Sequence, residues 1–364
     1  MIATRDEVDT AALRAWMQHH VPMLRVKSST DVTATRIGGG YSNLTVEIAL
    51  QDADTVRHLI LRRAPVGVMA DRGAHDMRRE YRVLSVVHGA VLPTAVPVPE
   101  PIALCEDAMV IGGTFFLMSR VDGIAVRTLD DAPALRDPLV MRRMSESCID
   151  ALAALHALPV EQTSLFDAAR VEGYGARQVR NWHARWSAAR TDEVPDDDAA
   201  SVFGWMEANL PTPLPPALLH NDWKFDNLLV DAADPAHIHG ILDWEMATVG
   251  DPRFDLATAL GYWVQSNDPP MLQALTLGVT NAPGCLTRQE VVARYAAQRG
   301  VTVEAPLFWY VFGVAKVAVI VLQLHARHVS GQVHDARFAA LGRAAALLMQ
   351  TAHNAMVRGT LDPD

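Results

Sequence analysis

Between residues 44 and 50 the apolar side chains Leu44, Val46, Ile48 and Leu50 alternate with Thr45, Glu47 and Ala49. That period of two predicts a strand with one buried face. Gln51-Asp52-Ala53-Asp54 supplies turn residues, and Val56 to Arg63 resumes as a second strand, so the pair reads as a hairpin. Upstream lies an amphipathic helix. Downstream, Met77, Tyr81 and Leu84 share one helical face and predict a helix over Ala74 to Val87. The run from Pro93 to Pro99 forbids regular helix, and extended structure returns over Thr114 to Met118.

Past Val121-Asp122-Gly123 the period changes. Met144, Cys148, Leu152 and Leu155 recur at helical spacing, and most of the later chain follows the same rhythm. Asp192 to Asp198 holds five acids and a proline and predicts a solvated loop. Four prolines between residues 211 and 216 precede a short strand, Ala217 to Leu219. Phe308 to Leu324 is the most apolar stretch, broken by Lys316, and its length suits a buried helix better than a membrane span. The coarse map is α+β: a β-rich N-terminal lobe over residues 1–120 and a larger, mainly helical C-terminal lobe over 121–364.

Composition agrees with that map. A chain of 364 residues exceeds what one core usually organises, half its residues are hydrophobic and a fifth are charged. With 32 basic and 42 acidic residues the net charge is −10. An acidic chain without basic blocks argues against a nucleic-acid or membrane partner. Cys105, Cys148 and Cys285 lie far apart and read as reduced core residues. Residues 1–20 carry charges and no apolar run of the signal-peptide kind, so a cytoplasmic chain is expected.

The densest chemistry is Leu219-His220-Asn221-Asp222-Trp223-Lys224-Phe225-Asp226-Asn227-Leu228, a polar loop between two short apolar strands. Burying so many polar groups between strands is costly unless the loop has a task. His220-x-Asp222-x4-Asn227 has the spacing of a kinase catalytic loop, in which Asp takes the hydroxyl proton and Asn binds magnesium. A second strand, His239 to Leu242, ends in Asp243, and a hairpin through residues 231–235 can fold it back towards the first. A carboxylate and a carboxamide oxygen suit Mg²⁺, a hard cation that also takes phosphates and water. Taken singly, each acid could be a turn residue at a strand end.

The stretches GGGYSN, LILRRAPVG, REYRVL, VPVPEPIALCED, HNDWKFDN and ILDWEMATVGDPRFDLA, in this order, resemble the aminoglycoside phosphotransferase and choline-kinase-like family. The resemblance covers nearly the whole chain and is strongest to the branch fused to eukaryotic acyl-CoA dehydrogenases. It implies a bilobal protein-kinase-like fold, ATP and Mg²⁺ as cofactors, and a small-molecule hydroxyl acceptor. It also implies roles. Gly39, Gly40, Ser42 and Asn43 stand in the loop that covers the nucleotide, where glycines let backbone N–H groups approach phosphate. Arg62 replaces the usual strand lysine, can hold phosphate oxygens bidentately, and pairs with Glu80. Alternation turns Arg63 to the other face. Ser119 and Val121 fall where backbone groups meet the adenine edge, Asp222 and Lys224 are the catalytic pair, and Asn227 and Asp243 are the metal ligands. His220, Asp251 and Asp255 brace loops and helix ends.

Two other readings share these residues. One is a kinase-fold binding protein without turnover, to which the Arg62 replacement lends its only support. The other is a metal hydrolase on His220, Asp222 and Asp243, which needs further ligands. For the acceptor, residues 256–364 contain eight basic and six acidic residues. A mildly cationic, apolar wall suits a hydroxyacyl-CoA or hydroxy acid better than a polycationic aminoglycoside. The acidic residues 192–198 are the counter-argument, because as a loop they could supply the missing negative charge.

Overall fold

The computed structural model describes residues 8–37, 43–64, 76–191, 194–275, 277–332 and 336–362. They divide into two compact units. One comprises Met1–Val91, Pro97–Asp122 and Gly240–Ala247; the other comprises Leu92–Val96, Gly123–His239 and Thr248–Asp364.

The first unit opens with helix α1 (Thr10–His20), capped by Asp9, whose carboxylate accepts from the Ala11 and Ala12 N–H groups at 3.0 and 2.9 Å. Strands β1 (Asp31–Arg36), β2 (Leu44–Gln51) and β3 (Val56–Arg63) follow, then helix α2 (Met77–His88) and strands β4 (Pro101–Cys105) and β5 (Phe115–Ser119). The strands form one antiparallel sheet in the order β1-β2-β3-β5-β4. The alternation in β2 appears as a buried row, Leu44, Val46, Ile48 and Leu50, packed with Leu13 and Met17 of α1. Helix α2 begins later than expected because the Asp76 carboxylate caps it, accepting from the Arg79 N–H at 3.1 Å. At the end of β3 the two arginines diverge as alternation requires. Arg63 donates to the Ile111 carbonyl at 2.5 Å, while Arg62 enters the polar cluster described below.

The second unit contains β6 (Ile124–Ala125), α3 (Pro138–His156), α4 (Tyr174–Ala189), α5 (Asp197–Ala208) and β7 (Ala217–Leu219). Next come β8 (Leu228–Val230), β9 (Ile238–Ile241, whose last two residues belong to the first unit), β10 (Thr248–Gly250) and α6 (Arg253–Tyr262). Helices α7 (Arg288–Arg299), α8 (Pro306–Val329) and α9 (Leu341–Arg358) complete it. β7 pairs with β10, and β6, β8 and β9 form a second small sheet.

Helix α8 is the organising element. On length and composition alone it could cross a membrane, but 72% of its most apolar window is buried, packed against α6 and α9. It crosses α6 at two glycines. A Cβ on Gly313 would stand 1.8 Å from the Ala257 carbonyl oxygen, and one on Gly261 would stand 2.4 Å from the Gly313 carbonyl, so neither position admits a side chain.

One expectation is corrected here. Asp197 and Asp198 are not loop residues but the first turn of α5, where carboxylates complement the positive end of the helix dipole. Asp196 before them accepts from the Trp186 indole N–H at 2.9 Å, and Asp198 pairs with His353 at 3.3 Å. Asp192 and Glu193 lie outside the described residues. The three cysteines are free thiols, two buried and Cys285 half-buried.

Candidate active site

In the first unit a cationic centre forms where β3, α2 and the segment after β9 converge. Arg62 Nη1 lies 3.0 Å from Glu80 Oε1, and Nη2 lies 3.2 Å from Asp243 Oδ1 and 3.4 Å from Glu245 Oε2. Glu245 also accepts from Asn43 Nδ2 at 2.8 Å, and its carbonyl accepts from Arg79. Burial opposes the charge on Arg62, but the surrounding carboxylates outweigh it and hold the guanidinium pKa above its ordinary value. Burial pushes Glu80 up, to about 7, against the pull of Arg62. Arg62 Nε and Glu80 Oε2 have no hydrogen bond among the described residues. Asp243 holds the left-handed conformation at φ +65°, a placement unusual for a residue with a Cβ. The following turn, Trp244–Met246, is pinned by the Trp244 indole N–H donating to the Ile241 carbonyl at 2.9 Å.

Of the residues expected beside the adenine, Ser119 donates its N–H to the Glu100 carbonyl and accepts the Glu100 N–H on its hydroxyl oxygen, both at 2.9 Å. Val121 packs on Gly240, where a Cβ would come within 3.1 Å of the valine. Gly39, Gly40 and Ser42 lie outside the described residues.

In the second unit the polar loop between β7 and β8 forms its own cluster. Asp222 Oδ2 is 2.9 Å from Lys224 Nζ and accepts from Asn227 Nδ2 at 2.8 Å, and Oδ1 accepts from the Tyr262 hydroxyl at 3.4 Å. Asn227 Nδ2 also donates to the Asp222 carbonyl at 2.7 Å. Lys224 lies over the Tyr262 ring, 5.0 Å from its centroid. Burial alone would raise the Asp222 carboxyl, but Lys224, His220 and Asn227 more than offset it and hold the pKa below the usual range. Asp222 is therefore a carboxylate at neutral pH.

The loop backbone is held from below. Asp255 of α6 accepts the His220 N–H at 2.6 Å and the Asn221 N–H at 2.5 Å, and its Oδ2 also meets His156 at 3.2 Å. His220 Nδ1 in turn accepts the Asp222 N–H at 3.3 Å, so His220 braces the loop. Asp251 binds Arg253, with both of its carboxylate oxygens engaged.

Each unit, taken by itself, holds one residue with an oxygen of the kind a hard cation takes. Asn227 has committed its N–H₂ group to Asp222, which leaves its carbonyl oxygen for a cation. Asp243 gives Oδ1 to Arg62, and its half-buried carboxylate keeps a second oxygen. Among the described residues no group of three or more His, Cys, Asp or Glu side chains could hold a metal by itself.

Three residues of these clusters were not singled out from sequence. Glu245 sat inside a recognised stretch. Tyr262 lies seven residues after Asp255 on α6, which places both on one helical face. Lys316 of α8, whose Nζ donates to the Asn221 carbonyl of the loop at 2.6 Å, was visible only as a break in an apolar run.

A family model described as the phosphotransferase enzyme family matches residues 33–286. Among curated proteins, acyl-CoA dehydrogenase family member 10 of Mus musculus is 29% identical over 316 residues, which is 86% of this chain. The chain spans only 28% of that relative's length. Among solved structures, a Ralstonia eutropha protein described as an aminoglycoside phosphotransferase superposes with TM-score 0.77 at 23% identity, covering 97% of this chain and 99% of its own. An aminoglycoside phosphotransferase bound to GDP and kanamycin superposes with TM-score 0.60 at 15% identity, covering 93% and 99%. At these identities the structural likeness establishes a kinase-like fold.

Proposed function

Because the chain belongs to the phosphotransferase enzyme family, we propose that it is an ATP-dependent, Mg²⁺-assisted kinase for the hydroxyl of a small apolar or acidic alcohol. A hydroxyacyl-CoA or hydroxy acid is the acceptor class it fits best. In this reading Asp222 takes the acceptor's hydroxyl proton as the acceptor oxygen bonds to the γ-phosphorus, and the bond from that phosphorus to the bridging oxygen breaks. Lys224 offsets charge on the moving phosphoryl group, and Arg62, held by Glu80, Asp243 and Glu245, orients the nucleotide phosphates. Asn227 of the second unit and Asp243 of the first are the residues that would hold magnesium, which would supply charge neutralisation at the phosphates. Nucleotide use is supported by the GDP complex of the structural relative.

The observation that carries the acceptor class is the lining of a small cleft in the second unit, beside Lys224 and Tyr262, with a cavity volume of about 10 Å³. Its walls include Trp223, Phe225, Trp263, Leu277 and Val279, with Asp226 the only carboxylate in its described lining. Such a lining offers a polycation little compensation for its lost hydration. Of the acids over 192–198 that could supply it, Asp196 and Asp198 are engaged with Trp186 and His353, Asp197 stands exposed in the first turn of α5, and Asp192 and Glu193 lie outside the described residues.

The test is a screen of Mg²⁺-dependent ATP and GTP consumption against hydroxyacyl-CoAs, hydroxy acids, amino sugars and amino alcohols. Turnover of the first two classes supports the reading. Turnover of kanamycin-type acceptors alone overturns the acceptor class. Nucleotide-dependent stabilisation without turnover of any acceptor points to a binding protein.

A further inference from the structure

Lys316 sits in the middle of α8, within a run of buried apolar residues, and is 3% exposed. Burying an ammonium is expensive, and lysine is almost never fully buried without partners. Two hydrogen bonds and an aromatic ring receive it. Nζ donates to the Asn221 carbonyl at 2.6 Å and to the Thr258 hydroxyl at 2.8 Å, and it lies 5.5 Å from the centre of the Trp182 ring. Thr258 donates its own proton to the Phe254 carbonyl at 2.8 Å, so its oxygen faces the lysine as an acceptor.

The partner that matters is Asn221, the residue before Asp222. It adopts the left-handed conformation at φ +66°, which asparagine takes more readily than other residues with a Cβ. The peptide joining Asn221 to Asp222 is pinned on both sides, its carbonyl by Lys316 and its N–H by His220 Nδ1. That peptide sets the direction in which the Asp222 side chain leaves the loop. The approach is made possible by the glycine crossing of α6 and α8: Gly313 is one turn before Lys316, and Gly261 is one turn after Thr258. With side chains there, the helices would stand too far apart for the lysine to reach.

We propose that Lys316 is a positioning residue for Asp222, locking the Asn221–Asp222 peptide in the orientation that phosphoryl transfer requires. This rests on the kinase reading above. Asp255 and Asp222 attract the ammonium, while Arg185 and Lys224 oppose it. No nucleotide or acceptor atom needs to touch the lysine. Its effect therefore falls on kcat rather than on substrate affinity.

The experiment combines amide hydrogen exchange at residues 221 and 222 with steady-state kinetics of the full chain. Lys316→Met keeps the length and apolar stem of the side chain and removes its donors. It is expected to speed exchange at both amides at least tenfold and to lower kcat at least tenfold, with KM for ATP within twofold. Lys316→Gln, which restores an N–H donor, should recover part of both losses. Unchanged exchange together with kcat within twofold of wild type in Lys316→Met overturns the proposal. If the methionine variant does not fold, Thr258→Val decides. Faster exchange at 221 and 222 with KM unmoved upholds the anchor, and unchanged exchange removes it. Absence of ATP turnover by the wild-type chain overturns the kinase reading instead, and the exchange measurement still judges the anchor.

Discussion

Arg62 is surrounded by three carboxylates, so its loss has two consequences that can be measured separately. Removing a charge-assisted contact to phosphate costs about 1.5–3 kcal/mol, one to two decades in kcat/KM for ATP. Removing the guanidinium 3.0 Å from Glu80 also leaves that buried group only the more weakly placed Arg79 as a cation, at up to about 3–5 kcal/mol of stability. Arg62→Ala should therefore show both weaker kinetics and a lower Tm, whereas Arg62→Lys keeps the charge and loses less of each. If neither measurement moves, Arg62 has no part in the site. Asp222 and Asp243 should separate by phenotype. Asp222→Asn is expected to lower kcat by about 10²–10⁴ while Mg·ATP affinity stays close to wild type. Asp243→Asn should weaken metal-dependent nucleotide binding, read by titration calorimetry with and without Mg²⁺. Wild-type turnover in both variants would remove the assignment.

Among the elements, the α6–α8 crossing is the most constrained contact described. Gly313→Ala places a methyl group against the Ala257 carbonyl, a backbone atom that cannot rotate away. Forcing extra volume into a packed contact costs about 1–3 kcal/mol, or roughly 2–10 °C in Tm for a unit of this size. The same change should reduce kcat, because it lifts Lys316 from Thr258 and Asn221. Gly204 of α5 is the internal control, since a Cβ there meets nothing within 4 Å. Gly204→Ala should leave kcat unchanged and raise stability by about 0.5–1 kcal/mol through helix propensity. A Gly313→Ala variant as stable and active as Gly204→Ala would mean the crossing is looser than the geometry states.

At the scale of the whole molecule, the buried lysine links global stability to pH. Burial pushes the Lys316 ammonium down to about 8 from an ordinary value of 10.5. Below pH 8 the group is charged in both the native and unfolded chain, and the native state bears the cost of desolvation. Between pH 8 and 10.5 the unfolded chain still binds a proton that the native state has released, so stability rises with pH across that window. The difference in unfolding free energy between wild type and Lys316→Met should increase by roughly 3 kcal/mol from pH 7.5 to pH 10.5. A flat difference, measured by denaturant titration at each pH, would show that the lysine is solvated.

Much of this architecture was legible in the chain itself, because local patterns obey local physics. The period-2 run at Leu44 to Leu50 had to become a half-buried strand, and the polar loop at His220 to Asn227 stood out as a candidate site because polar groups between apolar strands are costly. Glu80 was readable as the partner of Arg62 through its place in the resemblance. What remained hidden depended on atoms distant along the chain. Asp197 and Asp198 read as solvated loop because acid-rich composition does not distinguish a loop from a helix N-terminus; burial of Val202, Phe203 and Met206 decided for the helix. Lys316 read as a flaw in an apolar helix because its partners lie 58 and 95 residues away, and only the close glycine crossing brings them within hydrogen-bond reach. Periodicity reports which face of an element is buried. Which buried charge meets which backbone carbonyl is settled only when the elements pack.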